Sequence, residues 1–231
     1  MSLDLFNIEQ FNQLLASSLG EEDAQYYLEQ LADLSGLFTS NLRELPAHLR
    51  YFNPPREQWN QMTLFPGTFS PWHLGHQACV KGCGSYSVLI LPDRSPWKGE
   101  REIAPWQDFK AIYHYILNSE KENLYIYPGF LTHEQSNPTV TWLPQLPLKT
   151  KRLLMGDDTF LSIHKWKEAP TLLSALDEIY VCPRQAEIGE LTKQFDFLNQ
   201  HYHLTILFLE AHDYQHLSSS ELRSNILNVS K

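Results

Sequence analysis

His73 and His76 stand three positions apart, just after Pro66-Gly67-Thr68-Phe69-Ser70-Pro71-Trp72. On the first turn of a helix that spacing puts both imidazoles on one face. Two such rings can donate hydrogen bonds to an oxyanion developing on phosphorus. Gly67 lets the backbone turn sharply toward a ligand, and a helix starting near Leu74 offers free N–H groups and a positive dipole end to phosphate. Read plainly, these are turn residues and surface histidines.

A second group lies near the other end, in Ser218-Ser219-Ser220-Glu221-Leu222-Arg223. Ser218 and Glu221 have the spacing of a capping box, which predicts a helix start. Capping alone needs no ligand. Arg223 adds a cation one turn in, within reach of the same phosphate that the hydroxyls and amides face.

The elements that must position these groups follow from the apolar pattern. Met62 to Phe65, Tyr86 to Leu91, Leu124 to Tyr127, Arg152 to Met155, Glu178 to Cys182 and Leu204 to Leu209 read as buried strands. Leu74 to Val80, Trp106 to Leu117, Phe160 to Leu176 and Ile188 to Gln200 read as helices between them. This alternation predicts an α/β fold, a Rossmann-like and mostly parallel sheet with helices on both faces. Ligands in such folds sit beyond the carboxyl ends of the strands, which directs attention to the loops after Phe65, Leu91, Tyr127, Met155, Cys182 and Leu209. Ahead of the sheet, Ile8 to about Arg50 carries helical spacing broken at Gly20 and Gly36, giving two or three short helices. Asn53, Pro54 and Pro55 then end any helix, so residues 1–55 are expected to form an N-terminal helical extension and 56–231 the main domain.

Composition narrows the partners. The chain has 231 residues, 42% hydrophobic and 19% charged, enough for a sizeable core. With 18 Lys and Arg against 27 Asp and Glu, a net charge of −9 argues against a nucleic-acid surface and for a local cationic pocket taking a small anion. Cys79, Cys83 and Cys182 make no disulfide framework, no charged-then-apolar leader opens the chain, and no apolar run approaches the roughly 20 residues that span a bilayer. The expectation is a cytoplasmic protein with no membrane partner. A homo-oligomer is left open.

These residues together resemble the nucleotidyltransferase superfamily with the HxGH signature, and within it the nicotinate mononucleotide adenylyltransferases. The first motif is similar to Gly67-Thr68-Phe69-x-Pro71-x-His73-x-Gly75-His76, and the late Ser-Ser-Thr-x-Ile-Arg motif to Ser218-Ser219-Ser220-Glu221-Leu222-Arg223. Between them Pro96-Trp97-Lys98 resembles a Pro-His-Lys loop, Gly156-Asp157-Asp158 with Lys165-Trp166 resembles a Gly-Ala-Asp and Trp segment, and Arg184 falls where the family has an arginine. The match runs in order over roughly residues 62 to 226 and departs from the pattern at Pro66, Ser70, Trp72 and Trp97.

The resemblance implies a Rossmann-like nucleotidyltransferase domain acting on small-molecule nucleotides, with ATP as substrate, Mg²⁺ carried mainly by the triphosphate, and no dedicated metal cluster. It assigns His73, His76 and Arg223 to catalysis, with Ser219 and Ser220 joining Arg223 on the triphosphate and Lys98 helping. Gly67, Thr68, Phe69, Gly75, Gly156 and Ser218 belong to the binding loops with Arg184. Asp158 would take a ribose or purine group, Trp166 would pack in the nucleotide cleft, and Thr139 or Thr141 would meet the acceptor. Nicotinate mononucleotide is the favoured acceptor, with Phe130 and Trp142 as stacking candidates. Nicotinamide mononucleotide, phosphopantetheine and a phosphorylated polyol using CTP are the alternatives, as is a non-enzymatic nucleotide-binding module of the same fold. A zinc site built from His73, His76, Cys79 and Cys83 is disfavoured, since almost three helical turns, about 15 Å, cannot converge on one point.

Overall fold

The computed structural model describes residues 8–38, 45–93, 105–131 and 136–223. In chain order the helices and strands are α1 (Ile8–Leu19), α2 (Glu21–Ala32), α3 (Leu34–Leu37), β1 (Met62–Gly67), α4 (Leu74–Gly82), β2 (Ser87–Pro92), α5 (Pro105–Asn118) and β3 (Leu124–Ile126). The second half holds α6 (Thr139–Trp142), β4 (Arg152–Gly156), α7 (Asp157–Phe160), α8 (Ala169–Ser174), β5 (Glu178–Cys182), α9 (Ile188–His201) and β6 (Thr205–Phe208). Short 3₁₀ turns link several of them. Among the described residues, no helix is long and apolar enough to cross a membrane.

All six strands pair in parallel in the order β3-β2-β1-β4-β5-β6. Every residue of β2 is buried, as a strand covered on both faces requires, whereas β6 at the edge is mostly exposed. The chain runs outward from β1 to β3, then crosses back to β4 on the other side of β1. That reversal opens a crevice above the carboxyl ends of β1 and β4, where Pro66, Gly67 and Gly156 stand.

The α/β sheet matches the sequence expectation, and its strand limits differ by a residue or two. One helix does not. The stretch from Phe160 to Leu176 is broken: α7 ends at Phe160, Glu168 takes a left-handed φ of 50°, and α8 starts after it with Pro170 in its first turn. Proline fits a first turn but not an interior, so the apolar spacing there runs across a break between the 3₁₀ turn Ile163–Lys165 and α8.

The N-terminal helices share the core with the sheet. Phe11 of α1 meets Phe52 and Phe109 edge-on at 5.5 and 5.7 Å, and Leu15, Tyr27 and Leu31 are wholly buried. Each ring pair contributes about 0.5–1.5 kcal/mol beyond area burial. Tyr127, just past β3, donates its hydroxyl to the carbonyl of Ala32 at 2.6 Å, fastening α2 beside the ends of the strands.

Candidate active site

The loop after β1 delivers the two histidines in a geometry fixed by the backbone. His73 is the N-cap of α4, its Nδ1 accepting the Gly75 N–H at 3.1 Å, while His76 Nδ1 accepts the His73 N–H at 3.3 Å. A nitrogen that accepts from an amide cannot carry the proton of a neutral ring, so each neutral imidazole is an Nε2–H tautomer. The backbone has thereby turned two ambivalent rings into donors.

Those rings are held by stacking. His76 lies between His73, at 3.8 Å between centroids and 26° between planes, and Trp72, at 5.2 Å and 24°. Phe65 and Phe69 meet the same ring edge-on. Phe69 holds a left-handed φ of 48°, a conformation uncommon for an aromatic residue, with its side chain buried between Phe65 and Trp72. Gly75 is required by the same packing. A Cβ there would stand 2.9 Å from Cε1 of His73, and the ring could no longer fold back over the turn.

His73 is buried and its Nε2 has no hydrogen-bond partner among the described residues, although the ring lines a cleft. Burial, reinforced by the positive charge of Arg184, lowers its pKa to about 4. The ring is therefore neutral at physiological pH, with one N–H awaiting an acceptor. An orphaned buried donor facing a cleft is what an anionic ligand would satisfy.

The opposite wall is built around a buried carboxylate. Asp157, at the start of α7, accepts from its neighbour Asp158 N–H at 2.7 Å, from Arg184 N–H at 2.7 Å and from Ala186 N–H at 3.0 Å. It ties the loop after β4 to the loop after β5. Arg184 then reaches across the cleft rim, donating to Asp158 Oδ2 at 3.0 Å and to the Leu217 carbonyl at 2.7 Å. A Cβ on Gly156 would lie 2.6 Å from Asp158 Oδ1 and 3.1 Å from Arg184 Cδ, so glycine is needed for these groups to meet.

The serine stretch closes the site. Ser218 accepts the Glu221 N–H at 3.2 Å and donates its hydroxyl to the Glu221 carboxylate at 3.1 Å, starting the helical turn at 219–223 as its spacing predicts. Ser219 donates to the Pro71 carbonyl at 3.2 Å, and Arg223 to the Ser70 carbonyl and, at 3.0 Å, to Ser220 Oγ.

Twelve expected residues line this one cleft of about 150 Å³: Gly67, Thr68, Phe69, His73, Gly75, His76, Gly156, Asp158, Arg184, Ser218, Ser219 and Ser220. Two do not. Arg223 is not among the lining residues, its guanidinium donating to the Ser70 carbonyl and to Ser220 at the cleft, and Trp166 packs against the core after the 3₁₀ turn Ile163–Lys165. Lys98 lies outside the described residues. Sequence reasoning passed over Asp157, which carries the loop geometry, and treated Trp72 only as a departure from pattern. Its place beside His73 was the available signal.

A small cavity of about 20 Å³ adjoins the cleft across Pro66, lined by Leu34 of α3, Leu91, Asp93, Tyr127, Phe130 and Trp142 among others. Phe130 and Trp142, the two stacking candidates, both line this cavity. Thr139 and Thr141 do not line the cavity; the Thr141 hydroxyl is engaged by Asn137 Oδ1 and the Pro138 carbonyl.

No protein-family model matches the chain. Curated relatives do. A probable nicotinate-nucleotide adenylyltransferase of Leptospira borgpetersenii is 25% identical over 149 residues, 58% of this chain and 75% of the relative. Those of Flavobacterium psychrophilum and Aquifex aeolicus are 28% and 29% identical, covering 71% and 60% of this chain and 86% and 84% of theirs. In three dimensions the chain resembles the Plasmodium falciparum nicotinic acid mononucleotide adenylyltransferase complexed with NaAD, with a TM-score of 0.55 at 18% identity over 71% of this chain and 82% of the other. The fold is thus shared.

Proposed function

We propose that this protein is a nucleotidyltransferase that moves the adenylyl group of ATP to a mononucleotide acceptor, nicotinate mononucleotide, with release of pyrophosphate, as in NAD biosynthesis. One observation carries the reading: two imidazoles locked as Nε2–H donors share a cleft with Arg184 and a serine-rich helix start. The names of the curated relatives and the shared fold support the acceptor class.

The acceptor phosphate oxygen attacks the α-phosphorus in line, a P–O bond forms, and the bond to the β-phosphate oxygen breaks as pyrophosphate leaves. No covalent enzyme intermediate is required. The chain's task is positioning and charge stabilisation. His73 and His76 donate to phosphate oxygens as charge develops, and the buried His73 ring, neutral at physiological pH, does so without first giving up a salt bridge. Ser219 and Ser220 offer hydroxyls and amides to the triphosphate, Arg184 and Lys98 supply positive charge, and Asp158 takes a ribose or purine group. Arg223 acts by holding the serine stretch against the loop that carries the histidines.

Magnesium travels with the triphosphate and water in this reading. Asp158 is the one carboxylate among the described cleft-lining residues, and it already pairs with Arg184, so the donor set fits a metal brought by the nucleotide better than a protein cage.

A second reading, nucleotide binding without transfer, has a specific observation behind it. The acceptor-side cavity is only about 20 Å³, room for roughly one water, with Leu34 among its walls. Pyrophosphate release from ATP or CTP, measured across nicotinate and nicotinamide mononucleotides, phosphopantetheine and a phosphorylated polyol, separates the two. Release only with ATP and a pyridine mononucleotide supports the proposal. ATP binding without release from any pair selects the second reading.

A further inference from the structure

Beside the imidazole pair, three ligand-type side chains from distant parts of the chain converge. Cys79 comes from α4, Cys182 ends β5, and His212 stands in the loop between β6 and the serine stretch. One ligand atom from each lies within 4.8 Å of the other two, and Cys182 Sγ is 3.4 Å from His212 Nε2. Both thiols are buried, at 4% and 1% exposure, while Cys79 and His212 also line the cleft. Around a tetrahedral zinc ion, bonds of about 2.3 Å to sulfur and 2.0–2.1 Å to nitrogen put ligand atoms roughly 3.5–3.8 Å apart. The three atoms therefore bound a space one ion wide.

We propose that Cys79, Cys182 and His212 form a binding site for zinc, with the fourth coordination position open toward the nucleotide cleft. Two thiolates and an imidazole select a borderline-soft cation over magnesium, and two thiolates balance its charge as both thiol protons leave. Small buried cysteines need no such convergence; as plain packing they would only fill space.

Loading has a consequence for the cleft. In the metal-free geometry His212 Nδ1 accepts the Tyr214 N–H at 3.1 Å. Ligation through Nε2 moves the imidazole proton to Nδ1, so that hydrogen bond must open and the 212–214 turn must shift. Tyr214 lines the cleft and its carbonyl faces Gly75, at 3.3 Å from where a Cβ would stand. Zinc would thus act on the part of the cleft wall that borders Gly75 and the histidine turn. The site differs from a quartet along α4, because its ligands come from three elements and leave His73 and His76 to the backbone caps.

The test uses the full chain, purified with reductant, stripped by chelator and titrated with Zn²⁺ against a chromophoric competitor. About one zinc per chain should bind, and Co²⁺ in its place should give a thiolate-to-metal charge-transfer band with tetrahedral visible bands. Cys182→Ser and His212→Ala should each weaken binding by at least the roughly 10–100-fold that losing even an outer-shell partner costs, while Cys83→Ser leaves it unchanged. If Cys182→Ser fails to fold, His212→Ala at the partly exposed position decides. Wild-type protein that cannot draw zinc from the competitor, or binding unaltered in His212→Ala, overturns the proposal. Neither readout depends on adenylyl transfer.

Discussion

Arg223 donates to the carbonyl of Ser70, 153 positions earlier in the chain, and its second terminal nitrogen holds Ser220 at 3.0 Å. One planar guanidinium thereby joins the helical turn at 219–223 to the loop that leads into His73. Together with Ser219, which donates to the Pro71 carbonyl, that fork ties the serine stretch to the histidine loop.

Arg223→Lys keeps the charge and loses the fork. A charge-assisted hydrogen bond is worth about 1.5–3 kcal/mol, so the KM for ATP should rise about 10- to 100-fold. Steady-state kinetics check this, and amide exchange at 218–223 should quicken in the same variant. An unchanged KM with unchanged exchange would show that the contact is idle.

His76→Ala removes a donor from the cleft and one cap from α4. Losing a transition-state donor costs about 10²–10³ in turnover, whereas losing a cap costs about 0.5–2 kcal/mol of stability. Pyrophosphate release and thermal unfolding, measured on one preparation, should show a folded protein that has lost most of its rate.

Gly75→Ala should mimic that loss without touching a histidine. The added methyl would stand 2.9 Å from the His73 ring, which must swing away and abandon the Gly75 amide. Turnover should fall about 10²-fold, the scale set for a displaced donor. Wild-type turnover in Gly75→Ala would mean that the His73 ring orientation does not matter.

The pH dependence of stability follows from the lowered pKa of His73, about 4 against an ordinary 6.5. Between those values the unfolded chain binds a proton that the folded chain refuses. This contribution is therefore full above pH 6.5 and is lost as pH falls toward 4, with a slope of at most about 1.4 kcal/mol per pH unit. Denaturant titrations from pH 4 to 7 should show that slope in the wild type and a shallower one in His73→Gln.

Much of this architecture is legible in the residues. Six short apolar runs alternating with helical periods can bury themselves only as a covered parallel sheet, and the loop after β1 announces itself by glycine, proline and paired histidines. The helix reading from Phe160 to Leu176 failed because apolar residues such as Ile163, Trp166, Ala169 and Leu173 keep helical spacing across Glu168, whose left-handed backbone no period reveals. Asp157 was overlooked beside Asp158 for a related reason. Adjacent carboxylates look alike in a sequence, and only burial against the Arg184 and Ala186 amides tells them apart.

By itself, then, the amino-acid order determined the strand and helix pattern, the cap that starts α4 and the spacing that puts two imidazoles on one turn, because these depend on neighbours within a few positions. Folding alone decided that Arg223 meets Ser70, that His76 stacks between His73 and Trp72, and that Cys79 meets Cys182 and His212. Such contacts join loops that only the strand order β3-β2-β1-β4-β5-β6 brings side by side, and no local interaction encodes them.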